Sequence, residues 1–148
     1  MTDRFHVDLV SAERGLFSGE ATMVVAPLSE GEAGFLPGHS PLLGKLKAGA
    51  LRVTDMEGVE QTFYVSGGFV EVQATHITVL ADASERAADI DEAKAAKAVD
   101  DARRALEEHT DKVDYARAHS ELSQAMARLH VARTVRRRPY GISPDRPR

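Results

Sequence analysis

The chain has no cysteine among its 148 residues. That excludes a disulfide framework, a thiolate metal site and a cysteine nucleophile. No run approaches the roughly 18–20 apolar residues that a membrane-spanning helix needs. The opening residues, MTDRFHVDLVSAERG, mix acids with Arg4 and Arg14 around no apolar stretch. A secretory signal and an acid-poor transit peptide are both unlike this, so the chain is expected to stay soluble in the compartment that makes it. No GxxxxGK[ST] loop, HExxH or HxxxH occurs, which leaves no P-loop and no helical metal motif. Hydrophobic residues at 43% and charged residues at 28% describe a globular chain of one domain or two small ones. A formal charge of −4 predicts no general affinity for nucleic acid.

Glycine is absent between Phe69 and Tyr140, whereas ten of the eleven glycines lie at or before Gly68, as do all five phenylalanines at or before Phe69. From Glu85 to Ala118 there are ten alanines. This break divides the chain into a strand- and turn-rich front, residues 1–84, a helix-favouring segment, 85–138, and a basic end, 139–148. In the front, His6–Val10 alternates with a period of two, and Ala21–Ala26 is more continuously apolar. Ala50–Thr54 and Thr62–Val65 flank a Glu57-Gly58 turn, and Phe69–Gln73 and His76–Leu80 flank Ala74-Thr75, which reads as two hairpins. Short strands with frequent turns predict a β-sandwich. His6 and His76, alternating with apolar neighbours, are expected to point outward into solvent.

The helical segment predicts a first helix from about Ile90 to Glu108, with Asp89 or Asp91 as N-cap, and a second from about Val113 to Arg138, capped by Asp111 and stopped by Pro139. Tyr115, Ala118, Leu122, Ala125, Met126, Leu129 and Ala132 form one stripe on the second, and Ala95, Val99, Ala102 and Leu106 a matching face on the first. The short link predicts an antiparallel helical hairpin. So few large apolar side chains make it marginal alone, dependent on the sandwich or a partner. The fold class is therefore α+β: an N-terminal β-sandwich, then a C-terminal antiparallel helical hairpin.

Few residues look catalytic, and no Ser/His/Asp order surrounds His39-Ser40. The densest turn chemistry is Ser29–Leu43, where two glycines, Pro37-Gly38 and Pro41 predict a rigid surface loop. That loop either serves the fold alone or offers Glu30, Glu32 and His39 to a partner.

The segments VSAERGLFSGEA, EGEAGFLPGHSPLL, LKAGALRV, YVSGGFVEVQATHITVLAD, DIDEAKAA and VDYARAHSELSQAMARLHV, in this order over about residues 5–135, closely resemble the epsilon subunit of the bacterial F-type ATP synthase. The resemblance implies a sandwich followed by a helical hairpin, and a non-catalytic rotor subunit with no catalytic residue and no metal. It would couple proton flow through the c ring to ATP synthesis, at the cytoplasmic face of the bacterial inner membrane and peripheral to it. It further implies contact of Glu30, Glu32 and His39 with the c ring and gamma. The hairpin would inhibit ATP hydrolysis through contacts of Arg117, Arg128, Arg133, Arg136, Arg137 and Arg138 with beta and gamma, the cations pairing with an acidic stretch of beta. A second helix of about 26 residues would reach roughly 39 Å, and arginine grips carboxylates bidentately. A solvated helix face accounts for the same arginines.

Some members of the resembling family bind ATP in the hairpin. The matching positions here are Ile90, Asp91, Lys94 and Arg128, with lysine in place of an arginine and Gln124 where a second is expected. A plain helix N-cap with a surface lysine is the alternative reading. Six arginines and one acid fall from Arg133 onward, and three prolines follow Arg138. An extended tail is expected there. The other function classes are a nucleic-acid-binding protein using this tail, whose binding would be salt-dependent, and a small hydrolase dependent on His39.

Overall fold

Alternation builds the first strand. Phe5, Val7 and Leu9 point inward while His6, Asp8 and Val10 point outward along β1 (Phe5–Ser11). The structure is a computed structural model that describes residues 3–108 and 111–136, the side chain of 136 excepted. Eight further strands follow: β2 (Gly15–Leu28), β3 (Gly31–Phe35), β4 (Leu42–Leu46), β5 (Gly49–Asp55), β6 (Glu60–Val65), β7 (Gly68–Val72), β8 (His76–Ala81) and β9 (Ser84–Arg86). One layer runs β1-β8-β7-β4, with β1 and β8 parallel. The other holds β3, β2, β5, β6 and β9. The 14-residue β2 joins the layers, pairing β1 along its first half and β3 and β5 along its second. Register shifts at Leu9/Val10 and Ala21/Met23 accompany that change of partner, since a bulge bends and twists a strand.

Both expected hairpins form. In the first, Ala50 faces Tyr64, and the Asp55 carboxylate accepts the N–H groups of Glu57 and Val59 (both 2.9 Å) to shape the turn. In the second, Val72 faces Ile77, and the Gln73 N–H donates to the His76 carbonyl (2.8 Å) across Ala74-Thr75. Gly68, at φ +119°, is required where β6 hands over to β7, because a Cβ there would strike the Leu80 carbonyl. Ser29–Leu43 is not the single loop expected. Gly31–Phe35 pairs with β2 as β3, and Leu42–Leu46 pairs with β7 as β4.

The sheet continues two residues beyond the compositional break, since β9 pairs with β6 through Arg86. A 3₁₀ turn, Ala87–Asp89, leads to the fully buried Ile90. The first helix, α1, therefore starts later than expected and spans Glu92–Glu108; Asp91 is its N-cap, accepting the Lys94 N–H at 3.1 Å. The second helix, α2 (Lys112–Arg136), is capped by Asp111, which accepts the Val113 N–H at 2.9 Å. The expected Arg137–Arg138 end, the 139–148 tail and part of the link between the helices lie outside the described residues. Arg133, late in α2, meets Glu92, first in α1, so the helices run antiparallel.

Two interiors result. Phe5, Leu9, Leu51, Phe63, Ile77 and their neighbours fill the space between the layers, with no helical residue among them. A second, smaller cluster joins Val99, Leu129, Val131 and Ala132 to Tyr64, Ala87 and Ile90, flanked by Ala48 and Ala50. Through it α2 lies against β5, β6 and the 3₁₀ turn, and α1 packs on α2. The predicted stripe of α2 is buried only in part: Ala118, Leu129 and Ala132 are covered, but Tyr115 and Met126 are about half exposed. Val131, off that stripe, is buried instead.

Candidate functional site

Three surfaces carry the candidate residues. The first is the edge around β3. Glu30 is exposed in the turn before it, and Glu32 is exposed on it, bound to Arg52 of β5 (Oε1 to Nη2, 2.8 Å). His39 lies beyond the far end of β3, exposed, with its ring edge-on to Phe35 at 5.1 Å and Nδ1 donating to the Ser40 carbonyl at 2.6 Å. Glu30 and His39 are thus separated by five residues of strand, roughly 16 Å. The structure spreads these groups along one edge rather than gathering them on one loop, and Glu32 already has a cation. The short connection after β3 is held by the Gly38 N–H on the Ala74 carbonyl at 2.8 Å. His39 has no carboxylate partner among the described residues, so the hydrolase reading lacks its geometry.

The second surface is where the hairpin docks. Arg128 of α2 holds Glu85 of β9 with two parallel hydrogen bonds, Nε to Oε2 at 2.8 Å and Nη2 to Oε1 at 2.9 Å. That hydrogen bonding pushes the Arg128 guanidinium pKa further up. Tyr64, whose hydroxyl pKa burial raises, donates to the Gln124 carbonyl at 3.4 Å. Arg133 Nε binds Glu92 at 3.0 Å. Of the candidate arginines, Arg117 is exposed and without an ion pair among the described residues. Arg137 and Arg138, and the side chain of Arg136, lie outside the described residues. The four nucleotide candidates do not converge. Ile90 is buried in the second cluster, Asp91 caps α1, Lys94 is exposed, and Arg128 is spent on Glu85.

The third surface was not foreseen. The outer face of β5 and β6 lies under α2, but no element among the described residues covers the outer face of β1-β8-β7-β4. Register aligns Val10 with Leu80, Leu80 with Phe69, and Phe69 with Lys45. Leu80 and Phe69 are 55% and 52% exposed, and Leu43, one row along, is 70% exposed. Two rows from Val10, on the same face, lie His6 and its neighbours. His6 Nδ1 faces Glu20 at 3.2 Å and its Nε2 faces Asp8 at 3.1 Å; His76 Nε2 meets the other Asp8 oxygen at 3.1 Å. Ser18 donates to Asp8 at 2.7 Å. These histidines face outward as expected, but they are half-buried and bonded rather than simply solvated. The hydrogen bond that Glu20 accepts leads the causes that raise the His6 pKa, and the one that Ser18 donates leads those that lower Asp8. Two signals in the sequence could have found this cluster: β1 alternates His6-x-Asp8, and His76 opens the strand that pairs with it. No group of three or more His, Asp or Glu among the described residues is arranged to hold a metal ion.

The family described as "ATP synthase, Delta/Epsilon chain, beta-sandwich domain" matches residues 4–87, and "ATP synthase, Delta/Epsilon chain, long alpha-helix domain" matches 88–133. The chain belongs to the ATP synthase delta/epsilon family. Among its relatives is the ATP synthase epsilon chain of Nitrosococcus oceani, 49% identical over 138 residues, covering 93% of this chain and 99% of that one. The epsilon chain of Alkalilimnicola ehrlichii is 50% identical over 133 residues, or 90% and 95% of the two. A chain of the Euglena gracilis mitochondrial ATP synthase, solved as OSCP/F1/c-ring, shares the fold at TM-score 0.77 and 22% identity, over 86% of this chain and 80% of that one. The delta/epsilon sandwich and its following helices are thus both present here, in family order. No helix among the described residues is long and apolar enough to cross a membrane.

Proposed function

We propose that this epsilon-family chain is a non-catalytic rotor subunit of an F-type ATP synthase, with a sandwich that docks and a hairpin that regulates. The sandwich binds gamma through the uncovered β1-β8-β7-β4 face and rests on the c ring through the edge carrying Glu30, Glu32 and His39. In that position it couples proton translocation to ATP synthesis in the alpha–beta head. The chain is held peripherally at the cytoplasmic face of the bacterial inner membrane by these partners. The hairpin detaches, extends along gamma and restrains ATP hydrolysis by presenting its arginines to acidic groups. ATP is a weak regulatory ligand of the hairpin, drawing on the segment Ile90, Asp91 and Lys94 and on Arg128 once it releases Glu85.

The observation that carries this reading is the separation of the two interiors. The sandwich core contains no helical residue, so the hairpin can leave without opening it. Only Val99, Leu129 and Val131 are large, buried helical side chains at that junction. Their burial contributes roughly 5–9 kcal/mol in gross terms, and the ordering of the helices offsets much of it. The partly exposed ion pair of Arg128 with Glu85 adds little more. Docking of this strength is reversible. Nothing among the described residues favours nucleic-acid binding: Arg52, Arg104, Arg128 and Arg133 are paired with carboxylates.

The test is hydrolysis by an alpha–beta–gamma complex reconstituted with the full chain and with a chain ending at Arg86. The shortened chain should still bind gamma, and hydrolysis should rise. Equal rates would remove the inhibitory role; loss of gamma binding would remove the docking role.

A further inference from the structure

His6 sits between two carboxylates on different strands. Its two ring nitrogens each face a carboxylate oxygen, Glu20 of β2 at 3.2 Å and Asp8 of its own strand at 3.1 Å. A neutral imidazole carries one N–H, so it can serve only one of them; with that proton on Nδ1, the bare Nε2 faces Asp8 and has the Ser18 hydroxyl at 3.0 Å. The imidazolium serves both. From β8, the only other strand paired with β1, the titratable group facing His6 is His76. Their rings stand 5.3 Å apart, and the Asp8 carboxylate lies between their Nε2 atoms. Ser18 of β2 adds an uncharged donor to Asp8. Among the described residues, Asp8, Glu20 and His76 are the titratable groups that face His6 from the three strands.

This cluster shares its face with the apolar row. His6, Asp8 and Val10 alternate along β1, and His76, Thr78 and Leu80 lie beside them in register on β8. The cluster begins at Asp8, roughly 7 Å from the row, and reaches His6 at roughly 13 Å, within the footprint of an ordinary protein interface. We propose that His6 is a proton-operated element of this face, and that its protonation strengthens docking of the gamma subunit. The proposal rests on the reading that gamma occupies the uncovered face. That occupant is favoured over a second copy of this chain because the face carries three carboxylates, Asp8, Glu20 and Glu71, against the single lysine Lys45, and an identical face would repel it. With His6 charged, Asp8 and Glu20 are both satisfied and can be covered at little cost. With His6 neutral, Asp8 keeps Ser18 and His76 and Glu20 keeps the one ring N–H, but the two carboxylates lose the positive charge between them, and covering them uncompensated costs desolvation. Proton binding and gamma binding therefore help each other, and the coupling is reciprocal. Each unit by which docking raises the His6 pKa corresponds to a tenfold change in affinity.

The experiment measures binding of purified gamma to the full chain from pH 5.5 to 8.5, for the native protein and for His6→Gln. Gln keeps a donor toward one carboxylate and cannot titrate. The native chain should bind gamma about tenfold more weakly at pH 8.5 than at pH 5.5, and His6→Gln should lose that slope. The His6 ring signal, followed by NMR in the native chain, should titrate at higher pH in the complex than in the free protein. This second measurement needs no variant and so does not depend on how His6→Gln folds. An unchanged slope in His6→Gln, or a ring that titrates identically in both states, overturns the proposal. Binding of gamma that is pH-independent does so too while leaving the docking reading intact. No binding by either protein at any pH overturns the docking reading itself, and the proposal with it.

Discussion

Arg128 and Glu85 clamp the second helix to the last strand of the sandwich through a fork of two hydrogen bonds, 2.8 and 2.9 Å long. It is the one bidentate ion pair among the described residues, and it joins the part that docks to the part that moves. Both side chains are 32% exposed, so water screens the pair. Arg128→Ala or Glu85→Gln should therefore weaken hairpin docking by only about 1 kcal/mol. A fluorophore pair placed on β5 and α2 should report a larger undocked fraction, with the thermal midpoint of the sandwich unmoved. If docking is unchanged in both variants, the pair is ornamental and the apolar cluster alone holds the hairpin.

Substitutions in the two interiors should have different reach. Leu51 lies at the centre of the sandwich, and Leu51→Ala removes a fully buried side chain. It should cost about 2–5 kcal/mol of global stability. Val131 is 1% exposed in the smaller cluster. Val131→Asp buries a charge only if the hairpin stays docked, so the hairpin should leave while the sandwich persists. Hydrogen exchange decides it: Leu51→Ala should deprotect strands throughout, and Val131→Asp should deprotect α1 and α2 alone. Deprotection of β1–β8 by Val131→Asp would mean that the two interiors fold as one.

These contrasts also show what was legible in the sequence. β1 and the two hairpins were readable because alternation and turn residues act locally: Asp55 and Gly58 shape one turn without help from elsewhere. β3 was hidden because Gly31, Glu32 and Gly34 carry no apolar alternation, and only pairing to β2 makes them a strand. β9, three residues long, is equally a product of its partner. Helix periodicity gave Ala118, Leu129 and Ala132 but missed Val131, because α2 meets both α1 and the sheet and so needs two apolar faces. The family resemblance led to Arg128 but not to Glu85, its partner 43 positions away. The His6 cluster was missed for the same reason: Glu20 and His76 reach His6 only through strand register.

The same cluster should give the free chain a pH-dependent stability. His6 is raised above its ordinary 6.5, so its contribution is complete below about pH 6.5 and is lost as pH rises through the higher folded value. Asp8 is lowered below its ordinary 3.8, so its contribution is complete above about pH 3.8 and is lost as pH falls through the lower folded value. The two overlap between those limits. Urea midpoints should therefore fall between pH 5.5 and pH 8.5 in the native chain, by an amount that His6→Gln removes. A midpoint that rises over that interval, or a fall that His6→Gln retains, would assign the dependence to other groups.

ATP binding by the hairpin is the remaining expectation, and the geometry sets its sign. Asp91 already caps α1, Lys94 offers a point charge without the planar fork, and Arg128 must release Glu85 before it can reach a phosphate. Binding of ATP to the full chain should therefore be weak, and it should improve when those obstacles are lifted. Lys94→Arg with Gln124→Arg supplies two further planar forks, and each charged hydrogen bond to phosphate contributes about 1.5–3 kcal/mol. Isothermal titration should show affinity rising at least tenfold in the double variant. Glu85→Gln, which frees Arg128, should give a smaller gain. A native chain that already binds ATP as tightly as the double variant would mean that the docked arrangement of Arg128 and Glu85 is not what limits the nucleotide.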